Sequence, residues 1–149
     1  MKLTKGDVFC ISTKLGFGFL QFIESTQFGD YVRILDYLSS EKVISQAEIN
    51  KLERWCIDFT LKAAVRKKII EKVGNFELPA NFTISIYARS KHNIRGESIG
   101  WFLVNRKTLQ SELKKELTDN EIKLSPHGFM NDTLIIEKIE SNWNLSDWK

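Results

Sequence analysis

Apolar positions in the first forty residues form short runs that change partner at glycine. Val8 to Ser12 and Phe17 to Glu24 are rich in aromatic and β-branched residues and are separated by Lys14, Leu15 and Gly16. A short Gly-containing connection between two such runs predicts a hairpin. Within Gly16-Phe17-Gly18-Phe19-Leu20, glycines stand beside large rings, a pattern that marks a bulge or a close backbone approach. A turn at Gln27 to Asp30 leads to a third run, Tyr31 to Leu38. Three consecutive antiparallel strands forming a strongly bent meander are expected.

The period then changes. Ser45 and Glu48 have the spacing of a capping box. Leu52, Cys56, Phe59, Ala63 and Ile70 recur at helical intervals, Trp55, Val65, Ile69 and Val73 widen the stripe, and Gly74 is placed to stop it. One long helix and two helices broken near Trp55 to Asp58 both satisfy this spacing. Past Pro79, Phe82, Ile84 and Ile86 alternate with Thr83, Ser85 and Tyr87, predicting a half-buried strand. Ala88 to Ser98 reads as an exposed loop and Gly100 to Val104 as a central strand. Thr108 is a cap for a short helix from Leu109 to Leu117, and Leu134 to Ile139 suggest a last strand. The expected fold class is α+β. It is a single domain over residues 1–149 with a mostly antiparallel bent sheet, an N-terminal meander and a helical middle segment packed on it.

Composition narrows the class. A chain of 149 residues, 42% hydrophobic and 28% charged, holds a core without disulfides or metal, and it is neither a disordered tail nor a disulfide scaffold. No apolar run approaches the roughly 20 residues needed to span a bilayer. The first fifteen residues carry Asp7 and do not read as a signal peptide. Cys10 and Cys56, far apart and without His-rich neighbours, suit a reducing, cytoplasmic setting. The formal net charge of +3 is too small to imply nucleic-acid binding. Its distribution is uneven. Lys51, Arg54, Lys62, Arg66, Lys67, Lys68 and Lys72 oppose only Glu53, Asp58 and Glu71, whereas Glu24, Asp30, Asp36 and Glu41 oppose Arg33 alone. The basic stretch is either a solvated helix face or a surface complementary to an acidic partner.

The chain offers little catalytic chemistry. His92 and His127 belong to no metal-ligand spacing, and both cysteines sit in apolar runs where a thiol acts as a small hydrophobe. Gly16-Phe17-Gly18 lies in a strand, so it presents no helix N-terminus to a phosphate. Asp36 and Glu48 read as surface and cap. The expectation is a protein that is not an enzyme and has no catalytic residue, cofactor or metal. A small nucleic-acid-binding β-rich module is the alternative. In it Phe17, Phe19 and Tyr31 would stack on bases, and Arg89, Lys91 and Arg95 would contact phosphates.

The opening strands carry a resemblance. Gly6-Asp7-Val8-Phe9-Cys10-Ile11, then Gly16-Phe17-Gly18-Phe19-Leu20-Gln21, then Ile34-Leu35-Asp36-Tyr37 resemble the opening of the immunity protein 26 family. Gly100-Trp101-Phe102-Leu103-Val104 is similar to a later Gly-Trp strand of that family. The basic middle stretch lies outside the pattern. The resemblance implies a cytoplasmic bacterial antitoxin of a polymorphic or contact-dependent toxin system. Such a protein binds a cognate toxin domain, often a nuclease, and occludes its active site or an exosite. The implied partner is a protein, with no membrane, no small-molecule cofactor and no direct nucleic-acid contact. Contact candidates are Tyr31 and Arg33 on one strand face, together with Trp143, Asp147 and Trp148 in the polar C-terminal stretch; Trp101 is expected in the core.

Overall fold

The meander opens the chain in the computed structural model, which describes residues Met1–Lys149. β1 (Asp7–Thr13), β2 (Gly16–Thr26) and β3 (Gly29–Ile34) pair antiparallel in sequence order. The β2–β3 register shifts between Phe22 and Glu24, a bulge that bends the pair. Gly16 begins β2 at φ +118, where a Cβ would lie 2.7 Å from the Ser39 carbonyl oxygen. Only glycine fits a backbone approach that close. The class is α+β, with two antiparallel sheets and three short α-helices.

The middle of the chain is less helical than its periodicity predicts. It forms α1 (Gln46–Ile49), β4 (Trp55–Phe59), α2 (Leu61–Arg66) and β5 (Ile70–Asn75). Ser45 caps α1 as expected, its Oγ accepting from Glu48 N. Beyond that the long stripe fails. Trp55-Cys56-Ile57-Asp58-Phe59 pairs with β3 residue for residue, and Leu52, assigned to the buried face, is 81% exposed. Pairing to the β3 edge overrides the helical spacing, because β-branched and aromatic side chains fit the pleated surface. Gly74 lies inside β5 and stops no helix.

The chain packs as two compact units. One is Met1–Phe82 with Gly128–Trp143; the other is Thr83–His127 with Asn144–Lys149. The first unit holds a five-stranded sheet in the order β4-β3-β2-β1-β5. Its inner strands are buried on both faces, which explains their near-continuous apolar runs. Val8, Cys10 and Phe19 pack with Leu35, Ile44 and Ile49 on one face. On the other lies Ile139, over Gly18 and Ile11. Ile139 belongs to the helix at Asp132–Glu140, where a last strand was expected. Asn131 caps this helix through its side-chain oxygen, and Ile135 and Ile139 are its buried i, i+4 pair.

The second unit is a three-stranded sheet of β6 (Tyr87–Ile94), β7 (Glu97–Asn105) and β8 (Ser111–Lys114), in that order. β7 is the central strand expected from Gly100 to Val104. The expected strand at Phe82–Ile86 is irregular chain, the expected loop at Ala88–Ser98 is mostly β6, and the expected helix at Leu109–Leu117 contains β8. Leu109 shows why no helix starts there, since its φ of +63 leaves the right-handed region. The C-terminal helix Asp132–Glu140 is α3 in chain order. No helix is long and apolar enough to cross a membrane.

Asp7, at the start of β1, is 1% exposed and accepts hydrogen bonds from Thr4 N at 2.8 Å and Asn75 Nδ2 at 2.9 Å, with Lys72 Nζ at 3.2 Å. Burial pushes its carboxyl up, but these donors outweigh it and hold the pKa below the usual value. The stabilisation is therefore fully present above the unfolded-state pKa and is lost as pH falls through the lowered folded-state value. Asp7→Asn is expected to cost about 1–3 kcal/mol in urea unfolding at neutral pH, with the gap to the parent protein closing below about pH 4.

Candidate functional site

Two of the proposed contact residues lie in the interior. Tyr31 is 5% exposed and packs with Ile23 and Cys56. Arg33 is fully buried, which corrects the expectation that it points away from a core. Its guanidinium donates to Gln21 Oε1 at 2.5 Å, Glu53 Oε1 at 2.8 Å, Lys51 O at 3.0 Å and Ile49 O at 3.2 Å, and it lies over the Phe82 ring. Gln21 extends the network by donating to the carbonyls of Gly6 and Phe76. A buried cation demands such partners, so Arg33 holds the loop after α1 to β2 and β3 rather than meeting a ligand.

The terminal tryptophans are clasps. α3 ends in a Schellman motif: Asn142 N donates to Ile139 O and Trp143 N to Lys138 O, with Asn142 in the left-handed region at φ +54. That turn sets Trp143 edge-on against the buried Trp55, at 5.2 Å between centroids and 89° between planes, with Lys138 Nζ 3.9 Å from its ring centre. Trp55 has no oxygen or nitrogen acceptor for its indole N–H, and the perpendicular ring of Trp143 is its neighbour.

Trp148 serves the second unit. Arg89 on β6 is fully buried and donates to four main-chain carbonyls, those of Leu124, Ile122, Leu145 and Trp148, at 3.0, 2.8, 2.8 and 2.5 Å. Its guanidinium lies between the Trp101 and Trp148 rings, 4.8 and 4.5 Å from their centroids, and the two rings meet edge to face. No carboxylate neutralises it. Burial pushes its pKa down to about 10, which leaves it a cation at neutral pH. Asp147, between these clasps, is exposed. The alternative patch of Arg89, Lys91 and Arg95 is thus divided, with Arg89 inside, Lys91 over the Trp101 ring and Arg95 in an exposed turn. The base-stacking display is absent too, since Phe19 and Tyr31 are buried and Phe17 is half-buried beneath Lys42.

The basic stretch of the middle segment divides by environment. Lys51 pairs with Glu48, Arg54 with Asp36, and Lys72 with Asp7. Lys62, Arg66, Lys67 and Lys68 are exposed and pair with no carboxylate. All four lie on α2 or in the turn that ends it. α2 closes in a second Schellman motif, in which Lys68 N donates to Val65 O and Ile69 N to Ala64 O. The left-handed C′ position, where glycine fits without strain, is occupied by Lys68 at φ +62. Part of the cluster complements the helix dipole, which favours cations at this end. The acidic stretch is more engaged. Asp30 accepts from Leu61 N and Ser25 Oγ, and Asp36 meets Arg54.

Cys10 and Cys56 are both buried and form no disulfide, and burial pushes the Cys10 thiol up, away from the nucleophilic thiolate. No group of three or more His, Cys, Asp or Glu residues is placed to hold a metal ion. In comparisons with protein-family models, with curated proteins and with solved structures, nothing matches the chain.

Arg89→Leu leaves four carbonyls without their donor and is expected to cost at least about 3 kcal/mol in urea unfolding, with loss of the Trp101–Trp148 near-ultraviolet signal. Asp147→Ala should stay within about 0.5 kcal/mol of the parent protein. Thiol titration should find neither cysteine reactive in the native state and both reactive in denaturant.

Proposed function

We infer that this protein is an immunity protein, a binder that neutralises a bacterial toxin domain by covering its active site or an exosite. The reading is carried by the resemblance of the opening strands to the immunity protein 26 family. The residues of that resemblance have framework roles that a family would share for physical reasons. Gly6 precedes β1 at φ +93, where a Cβ would collide with the Phe76 carbonyl oxygen. Asp7 anchors the strand start through its buried hydrogen bonds. Gly16 opens the neighbouring strand against Ser39. These residues support a shared scaffold and leave recognition to the surface.

The surface best suited to a partner is the basic stretch along α2 and the turn that ends it. Four cations without counter-ions raise the rate of encounter with an acidic surface, and their desolvation on binding is compensated only if carboxylates meet them. Lys68 adds a cation at a position where a side chain in the left-handed region costs about 1–2 kcal/mol relative to glycine. The partner surface is therefore acidic, and the acidic stretch of this protein, with Asp30 accepting from Leu61 N and Asp36 already paired with Arg54, is the weaker contact candidate.

The test is co-expression with the polypeptide encoded immediately upstream, followed by purification. Growth rescue and a complex that persists at micromolar concentration are expected; toxicity unrelieved by co-expression removes the reading. Within a complex, the variant Lys62→Glu, Arg66→Glu, Lys67→Glu, Lys68→Glu should slow association by about 10-fold or more at low salt and flatten its salt dependence. Lys68→Gly should instead raise stability by about 1 kcal/mol while weakening association modestly.

A further inference from the structure

Each sheet has one edge strand covered by a short segment and one, β5 or β8, that no bridging segment covers. In the first unit the edge strand β4 is covered by Gly128–Met130, through bonds from Asp58 N to Gly128 O and from Met130 N to Asp58 O. In the second unit, β6 is covered by Ser125–His127 through Arg89 N to Ser125 O and His127 N to Arg89 O. The opposite edge, β8, has no such neighbour.

The phase of the β7–β8 ladder fixes which groups it leaves open. Asn105 N donates to Gln110 O, so the bonded pairs continue as Leu103 with Glu112 and Trp101 with Lys114. Ser111 and Leu113 consequently turn their N–H and C=O groups outward. Leu113 is 61% exposed and stands beside the half-buried Phe102 on one face of the sheet. Glu112 and Lys114 flank it on the other face. Lys114 Nζ is 2.6 Å from Glu121, and its ammonium also feels Glu112.

We propose that β8 is the interface for a second copy of this chain, paired antiparallel about a two-fold axis through Leu113. The axis position follows from the charges. With Leu113 opposite its own copy, Glu112 of each chain faces Lys114 of the other, and Ser111 faces Lys115. The outward-turned groups of Leu113 then form a bonded pair. Glu112 and Lys114 fall at the non-bonded pair, where side chains approach most closely and opposite charges reinforce each other. Phe102, Leu113 and their copies make one apolar stripe across a six-stranded sheet. The same residue set meets itself, as a two-fold interface requires. This proposal is independent of any toxin.

Sedimentation equilibrium across a concentration series tests it, using the full chain. The parent protein should show a reversible monomer–dimer equilibrium, and Glu112→Lys and Lys114→Glu should each raise the dissociation constant by about tenfold or more. Each variant places like charges opposite each other in its own dimer. Mixed together, the two restore both Glu–Lys pairs, so a heterodimer of near-parental affinity is expected, which unfolded variants do not give. A parent protein of monomer mass up to about 1 mM overturns the proposal. So does a dimer indifferent to either variant, or a pair of monomeric variants that fail to recombine.

Discussion

A buried guanidinium has to find an acceptor for nearly every N–H it carries, and each unit of this protein is arranged around one. Arg33 and Arg89 are among its largest fully buried side chains. An unsatisfied charge in an apolar interior is far more costly than any single packing defect, so the surrounding chain must bring oxygens to it. Around Arg33 these come from Gln21, Glu53 and the carbonyls of Ile49 and Lys51. Around Arg89 they are all main-chain carbonyls, taken from the 3-10 turns at Glu121–Lys123 and Leu145–Asp147 and the residues that cap them. The two solutions differ in kind. Arg33 is neutralised by Glu53, whereas Arg89 relies on carbonyl dipoles and the faces of two indoles.

This constraint explains why so many conspicuous side chains are unavailable to a partner. Aromatic and arginine residues are the usual anchors of protein interfaces. Here Arg33, Arg89, Trp101, Trp143 and Trp148 are engaged in holding loops and the C-terminal stretch to the sheets. Charge on the surface and backbone at an open strand edge are among the features that remain for recognition. The cations around α2 act over roughly a Debye length, about 8 Å at physiological ionic strength, and so influence approach more than final packing. The edge of β8 acts only on contact, through directional bonds. The two features lie on different units and serve different kinds of association.

The failures of periodicity share a cause. Leu52, Cys56, Phe59 and Ala63 have a helical spacing that a local reading must accept, and nothing within the segment reveals that β3 offers an open edge to Trp55–Phe59. Asn131-Asp132-Thr133 is a legible cap before Leu134, and the run of isoleucines behind it disguises a helix as a strand. Lys68 and Leu109, both with positive φ, mark turns that no residue preference announces, because neither lysine nor leucine favours that conformation. The terminal tryptophans look like surface residues by their polar neighbours in the chain, yet their true neighbours are Trp55 and Trp101.

Local chemistry alone determined the meander, the hairpin glycine at position 16, the Ser45 cap, the β7 core strand and the uneven charge. Each rests on steric or hydrogen-bonding preferences that act within a few residues. Tertiary structure decided which arginines are interior, which lysines keep free charge and which strand edges stay open. Those outcomes depend on partners dozens of residues away, and the energy of burying or pairing a charge is set by whatever the fold brings beside it.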